Sequence, residues 1–289
     1  MIEAVIINGL IIGGVYALLA VGFSLIFGVA RIINLAHTAF YMLAAYLIYS
    51  FTSSLGLNLV LSVVLSVIAV TIIGVFSYKL VIARVREHET TVLIVTIALT
   101  MIIQESVLLG YGGEFRGVPS LISGFTEILG VKVTYQYILT FGIVLILLVG
   151  VWALLMKTKL GIAIRSTAQD REVANLMGID VARTGMITMA IAVALAAIAG
   201  ALVAPSFMAE PHMWTHPLVM VLAVVVLGGL GSIKGSLLGA FILAFAETLV
   251  VFYAPSGAYL KGAVALTIML VVILIRPEGL FGVTFEEER

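Results

Sequence analysis

Lys157-Thr-Lys-Leu-Gly161-Ile-Ala-Ile-Arg165-Ser-Thr-Ala-Gln-Asp170-Arg171-Glu172-Val173-Ala174-Asn-Leu-Met-Gly178-Ile-Asp180 is the longest stretch rich in both charges, and long apolar segments flank it on both sides. Ser166 and Gln169 have the spacing of a capping box, which predicts a helix start there. Gly178 suits the left-handed position just past a helix end. Val173, Leu176 and Met177 fall at i, i+3 and i+4 and would share one helix face. The expectation is a short amphipathic helix held outside the lipid between two membrane spans. Its plainest role is that of a solvated connector.

Outward from this loop the chain is dominated by apolar residues. Of 289 residues, 63% are hydrophobic and 10% charged, against about 25% charged in a soluble domain. This composition describes an integral membrane protein. Lys and Arg number 15, as do Asp and Glu, so no basic excess points to a nucleic-acid partner. The chain has no cysteine, which excludes disulfides, thiol catalysis and thiolate metal sites. Its 4 histidines leave little material for a metal centre, and no metal or cofactor is expected. Met1-Ile2-Glu3 lacks the basic start of a secretory signal, so the first apolar segment reads as a retained span. Long unbroken apolar runs exclude a β-barrel, whose strands alternate.

Spans of about 20 apolar residues are read at Ala4–Ala30, Ala36–Phe51, Leu59–Ile82, Thr91–Gly110, Gln136–Met156, Met186–Pro205, Pro217–Gly231, Leu237–Tyr253 and Tyr259–Ile275. The second and seventh are short, so broken or re-entrant segments and an eight-span count stay open. The expected fold is an all-α polytopic transmembrane helix bundle of eight to nine spans. It forms one domain over residues 1–289, with the loop at 157–185 inside it. With the N-terminus outside, the inner connections hold Arg31, Lys79, Arg84, Arg86, Lys157, Lys159, Arg165, Arg171, Arg183, Lys234, Arg276 and Arg289, and the outer ones only Arg116, Lys132 and Lys261. By the positive-inside rule this predicts an external N-terminus, a cytoplasmic C-terminus and a cytoplasmic 157–185 loop.

Within that loop, Glu172-Val173-Ala174-x-x-x-Gly178 resembles the Glu-Ala-Ala-x-x-x-Gly loop of ABC importer permeases, with Val173 in place of one Ala. The wider stretch from Gly161 to Asp180 resembles the branched-chain amino acid ABC permeases, specifically the H-type membrane subunit of the leucine/isoleucine/valine system. The distal Ile-x-Leu-Pro of the general consensus is missing, which separates this chain from the maltose-type branch. Three further motifs follow the same family in the expected order. Gly28 to Tyr46 is similar to its Ile-Asn-x-Ala-His-Gly motif and the Tyr-Met-Leu-Gly-Ala-Tyr run after it, with Thr38 and Ala44 where Gly is usual. Gly228-Gly229-Leu-Gly231-Ser-Ile-Lys-Gly235, running on to Gly239-Ala240, is similar to its Gly-Gly-x-Gly-Ser-x-x-Gly motif. Arg276-Pro-Glu-Gly-Leu-Phe-Gly282 resembles its C-terminal motif.

The resemblance implies a permease subunit of an ABC importer that carries branched-chain amino acids across the inner membrane of a prokaryote. Energy would come from two partner ATPase subunits docking on Gly161, Arg165, Arg171, Glu172, Ala174 and Gly178. A second, related permease and an extracytoplasmic substrate-binding protein would complete the assembly. Gly228, Gly229, Gly231 and Gly235 would give backbone close approach at a hinge. This Gly-rich stretch does not match a phosphate-binding Gly-x-x-x-x-Gly-Lys-Ser/Thr loop, and no other such loop exists in the chain. An ATPase site of the chain's own is therefore not expected. Permeases for urea and short amides resemble this family closely and remain an alternative. Ribose-type permeases fit less well, because Ile32-Ile33-Asn34-Leu35-Ala36-His37 replaces their Gly-Gly-Ile-Asp-Leu-Ser signature.

Polar residues inside spans are costly and mark paths or satisfied networks. Asn34 and His37 lie at a helix break; Glu105, beside Gln104, and Glu247 lie in the outer halves of their spans. All four are candidates to line the translocation path, and for Asn34 and His37 a purely structural network is equally open. If Glu105 and Glu247 coupled protons or ions, the chain would instead be an ATP-independent secondary transporter. An intramembrane enzyme lacks a credible nucleophile–base or metal constellation. In the outer segment Tyr111–Tyr135, Leu121, Ile122, Phe125, Ile128 and Leu129 have helical spacing, which predicts an interfacial helix. His212 and His216 lack a carboxylate-rich cage for zinc, and Trp214 reads as an interface anchor.

Overall fold

The computed structural model describes residues 1–86 and 88–282. Glu87, part of the charged turn after the third apolar segment, and the tail Glu286–Arg289, read as a solvated end, lie outside them. The described chain is mostly helical, as its composition requires. In lipid every backbone polar group must be satisfied within the segment, which leaves the helix as the available solution for long apolar runs.

Helix α1 (Ile2–Ala30) is the centre of the bundle. At 1.5 Å per residue its 29 residues reach about 43 Å, more than the roughly 30 Å hydrocarbon core. It is apolar on all sides, as a buried helix should be, and Ala17, Leu18 and Leu19 are wholly buried. Gly9 and Gly13 seat the rings of Phe245 and Phe241 from the helix packed against them. The Gly-x-x-x-Gly spacing on α1 thus accommodates aromatic side chains.

At Arg31 the backbone turns left-handed and α1 stops. The chain then runs back into the bundle, and α2 (His37–Tyr49) begins beside the middle of α1, where His37 Nε2 lies 3.0 Å from the Leu19 carbonyl. Leu19 is about 16 Å from the end of α1 by helical rise. The break lies between α1 and α2; the second apolar segment is itself continuous, α2 passing into a π-helical turn at Ser50–Ser54. Helix α3 (Leu59–Ser77) passes through another π turn into α4 (Ala83–Val85), and α5 spans Glu89–Tyr111. Helix α6 (Tyr135–Lys157) then leads into the loop helices α7 (Lys159–Gln169) and α8 (Arg171–Leu176).

The second half repeats this plan in its element order. Helix α9 (Val181–Val203) is followed by a break, the short α10 (Thr215–Gly228), α11 (Ile233–Tyr253) and α12 (Lys261–Ile275). Long α1 packs on α11 and long α9 packs on α3; α2 rests on α9 while α10 rests on α1. This exchange of partners gives the two halves matching packing, which the sequence similarity between them is too weak to define. Seven helices are long and apolar enough to cross a membrane, and Thr215–Gly228 is a shorter apolar one. Outer helices turn apolar residues such as Ile94, Leu109, Ile146 and Leu274 outwards.

Two local expectations are corrected. The outer segment forms no interfacial helix where one was expected: β1 (Phe125–Ile128) and β2 (Val131–Thr134) pair as an antiparallel hairpin. Leu129 and Gly130 both have positive φ, as a two-residue hairpin turn requires. Val133 alternates with Lys132 and Thr134 and is buried, so period two prevails over the helical spacing. The charged loop holds two helices, with Thr158 and Asp170 as their N-caps and Ser166 inside α7.

Candidate functional site

Two sites lie at opposite ends of the bundle. At one end sits the charged loop. Thr158 accepts the Gly161 amide at 3.0 Å, and Gly161 lies so close under the Leu154 and Leu155 carbonyls that a Cβ would collide with them. Asp170 Oδ1 then accepts the amides of Glu172 and Val173, each at 2.9 Å. Helix α8 closes in a Schellman motif: Gly178 N–H donates to Asn175 O and Ile179 N–H to Ala174 O, both at 3.0 Å. Gly178 has φ 83°, a conformation that L side chains other than Asn and Asp rarely adopt.

The loop is tied to the end of α1 by two reciprocal contacts. Arg31 Nη2 donates to the Ala168 carbonyl at 3.1 Å, and Arg171 Nη1 donates to the Ala30 carbonyl at 3.4 Å. Burial, and then the positive charge of Arg86, lowers the pKa of Arg171 from its ordinary value. Ala174 is buried against the bundle, whereas Arg165 and Glu172 are exposed. Val173, Leu176 and Met177 do share a face, and it points away from the protein: they are 53%, 85% and 78% exposed.

The Gly-rich motif lies beside this loop. Gly228 and Gly235 pack backbone against backbone, so that a Cβ on either would fall on the other's main chain. Gly231 touches Phe27 and Gly28 of α1. The C-terminal motif straps the same corner: Leu280 N–H donates to Leu227 O at 2.8 Å and Phe281 N–H to Gly228 O at 3.0 Å. Gly229 lies directly against Glu278 and Gly282. The two motifs are thus one structural unit. Close by, the buried Ser24 and Ser236 hydroxyls meet at 2.5 Å and join α1 to α11.

At the other end the helices enclose a cavity of about 610 Å³. Its walls are Ile11, Ile12, Val15 and Leu19 of α1, Leu202 of α9 and Val251 of α11, and its mouth lies among Phe115, Phe207 and Met208. Glu247 lies in the wall at 2% exposure. The Tyr16 hydroxyl donates to Glu247 Oε2 at 2.8 Å. His216 Nε2 and Lys261 Nζ each stand 3.7 Å from Oε1. Four helices, α1, α10, α11 and α12, thereby converge on one carboxylate.

The remaining candidates sit elsewhere. Asn34 and His37 are buried at the break between α1 and α2. Asn34 Oδ1 accepts the Ala36 amide at 3.2 Å and its amide nitrogen lies 3.8 Å from Met189 Sδ. Neither residue borders the cavity. Glu105 lies on the exposed side of α5, where Gln104 Nε2 donates to it at 3.2 Å, and Gln104 in turn accepts from Trp214 Nε1 at 2.7 Å. Tyr16, His216 and Lys261 escaped the sequence reading as partners of Glu247. They are far apart in the chain, and the only signal was two opposite charges in successive apolar segments. Among the described residues no group of three or more His, Asp or Glu could hold a metal.

Comparison with known proteins supplies the family. A family described as the permease component of the branched-chain amino acid transport system matches residues 5–273. The high-affinity branched-chain amino acid transport system permease protein BraD of Pseudomonas aeruginosa is 30% identical over 96% of this chain and 94% of its own length. The probable branched-chain amino acid transport permease protein LivH of Methanocaldococcus jannaschii is 31% identical over 99% and 94%. Among solved structures, PsaBC from Streptococcus pneumoniae in complex with Fab aligns with a TM-score of 0.54 at 14% identity, covering 94% of this chain and 91% of that one. That likeness concerns the fold alone. With an apolar helical bundle, a capped charged loop and a family match along nearly its whole length, this multi-pass membrane protein belongs to the branched-chain amino acid transport permease family.

Proposed function

We propose that the chain is the permease subunit of an ABC importer that moves branched-chain aliphatic amino acids into the cell. The observation that carries this reading is the tip of α8. Three large apolar side chains stand exposed beside Glu172 on a loop fixed by two N-caps and a Schellman end. An exposed apolar patch on a rigid projection marks a protein interface. A partner ATPase dimer gripping this tip would pull on α1 through Arg31 and Arg171, and on α9, which starts at Val181. Gly161, Arg165, Glu172, Ala174 and Gly178 belong to this contact or to the frame that holds it.

Among the described residues eleven basic side chains belong to the connections at the loop end and three to those at the cavity end. That bias supports an N-outside, C-inside orientation of nine segments in a prokaryotic inner membrane, two of them short. The chain has no phosphate loop, so ATP hydrolysis falls to the partners. Substrate would arrive from an external binding protein at the cavity mouth. A second, related permease would cover the exposed face of α5, where the carboxylate of Glu105 otherwise meets hydrocarbon at a cost of several kcal/mol. Asn34 and His37 would hold the α1–α2 break in shape next to the path, and Gly228, Gly229, Gly231 and Gly235 would transmit loop movement to α10 and α11.

The test is uptake by the reconstituted assembly. Leu176→Glu is expected to abolish leucine uptake and co-purification with the ATPase while the permease stays folded. Uptake and co-purification at the unmutated level would refute the docking role.

A further inference from the structure

We propose that the cavity is a binding site, within the permease itself, for the charged head group of an aliphatic amino acid, with Glu247 taking the α-ammonium and Lys261 the α-carboxylate. This rests on the importer reading above and names its substrate contacts.

The first argument is the cost of Glu247. A carboxylate buried at membrane depth is expensive unless paired, and ionisable residues kept there default to a functional role. The Tyr16 hydroxyl satisfies Oε2 at 2.8 Å. Oε1 is served differently: His216 and Lys261 approach only to 3.7 Å, beyond hydrogen-bonding length. Among the described residues, the buried His216 Nε2 has no hydrogen-bond partner. The pairing at Oε1 is electrostatic and loose.

The second argument is complementarity. The α-ammonium and α-carboxylate of an amino acid sit on neighbouring atoms of one carbon. A buried carboxylate beside a partly exposed ammonium presents the opposite pattern. Lys261 is 34% exposed at its side chain, so it can swing to follow the substrate while Glu247 stays put. A zwitterion inserted between them leaves every charge paired. A simple cation would strand Lys261, a simple anion would strand Glu247, and an uncharged amide such as urea would have no use for the ion pair. The site therefore favours an amino acid over the amide alternative.

The third argument is the apolar part of the cavity wall. Ile11, Ile12, Val15, Leu202 and Val251 offer an apolar surface beside the charged pair, suited to a branched aliphatic side chain. The volume of about 610 Å³ falls in the range of roughly 300–1,000 Å³ usual for small-molecule sites.

The experiment uses the complete assembly of this chain with its second permease and ATPases in proteoliposomes, with leucine as the probe. Failure of the unmutated assembly to take up leucine in the presence of binding protein and ATP would overturn the importer reading itself. Given uptake, Glu247→Gln and Lys261→Met are each expected to lower its initial rate at least tenfold, while binding-protein-stimulated ATP hydrolysis persists. In the unmutated assembly without binding protein, bound radiolabelled leucine should be displaced by valine. It should not be displaced by 4-methylpentanoate, which lacks the ammonium, or by isopentylamine, which lacks the carboxylate. Should Glu247→Gln fail to assemble, Lys261→Met and the competition profile decide alone. Normal uptake by both variants, or equal displacement by either one-charge analogue, would overturn the site while leaving the importer reading standing.

Discussion

The loop end and the cavity end of this bundle are held together by different kinds of interaction. At the loop end the contacts that shape the loop and the Gly-rich corner are local or made by backbone: Thr158 and Asp170 cap the next turn, Gly178 closes α8, and Gly228 meets Gly235 across a short turn, while Arg31 and Arg171 tie the loop to α1. At the cavity end the decisive contacts are side chain to side chain, between residues as distant as Tyr16 and Glu247. The first kind gives a handle whose own shape is set locally and whose position is set by its ties to α1. The second gives a loosely paired cluster whose geometry changes whenever α1, α10, α11 and α12 shift relative to one another. A machine that transmits force at one end and changes affinity at the other would need this division.

The contrast can be broken most severely at the Gly-rich corner. Gly235→Val would drive a side chain into the Gly228 backbone, and overpacking that cannot relax costs about 3 kcal/mol or more. Folded, membrane-inserted yield is expected to collapse, whereas Gly142→Ala, at a position with open space around it, should leave yield unchanged. Size-exclusion of detergent extracts reads both. Next in size, Leu176→Glu should cost at least tenfold in uptake with no loss of folded yield, because Leu176 is 85% exposed. Asp170→Ala is gentler. It removes the acceptor for two amides of α8, a loss of about 1 kcal/mol, and should appear as faster hydrogen exchange confined to residues 171–176 and a partial drop in coupled uptake. Smallest of all, Glu105→Gln should leave the stability of the isolated chain within about 0.5 kcal/mol and alter only its retention of the second permease in pull-down.

What could be read from the sequence follows the same division. Gly178 as the helix stop and Val173, Leu176 and Met177 as one face are local features, and the structure has both. The start of the helix was misplaced for a local reason too. Thr158 caps α7 immediately after α6, leaving Ser166 in a helix interior and handing the second start to Asp170. The hairpin at Phe125–Thr134 was hidden because its short apolar residues satisfy helical spacing and alternation at once, and only the positive φ at Leu129 and Gly130 decides between them. The apolar segments themselves were legible, including the two short ones, since length and composition alone mark them. That α2 starts beside Leu19 was not, because the return of the chain after Arg31 depends on a bond between His37 and a carbonyl eighteen residues earlier. The partners of Glu247 lie further still, on helices that only the packing brings together.

The central claim is that the α8 tip is a cytoplasmic handle for an ATPase, and the absence of cysteine from the chain makes it directly testable. A single cysteine in place of Leu176 can be probed in intact cells with a membrane-impermeant maleimide. The account predicts no labelling until the membrane is permeabilised, and protection from label when the ATPase is bound. Labelling in intact cells would contradict it.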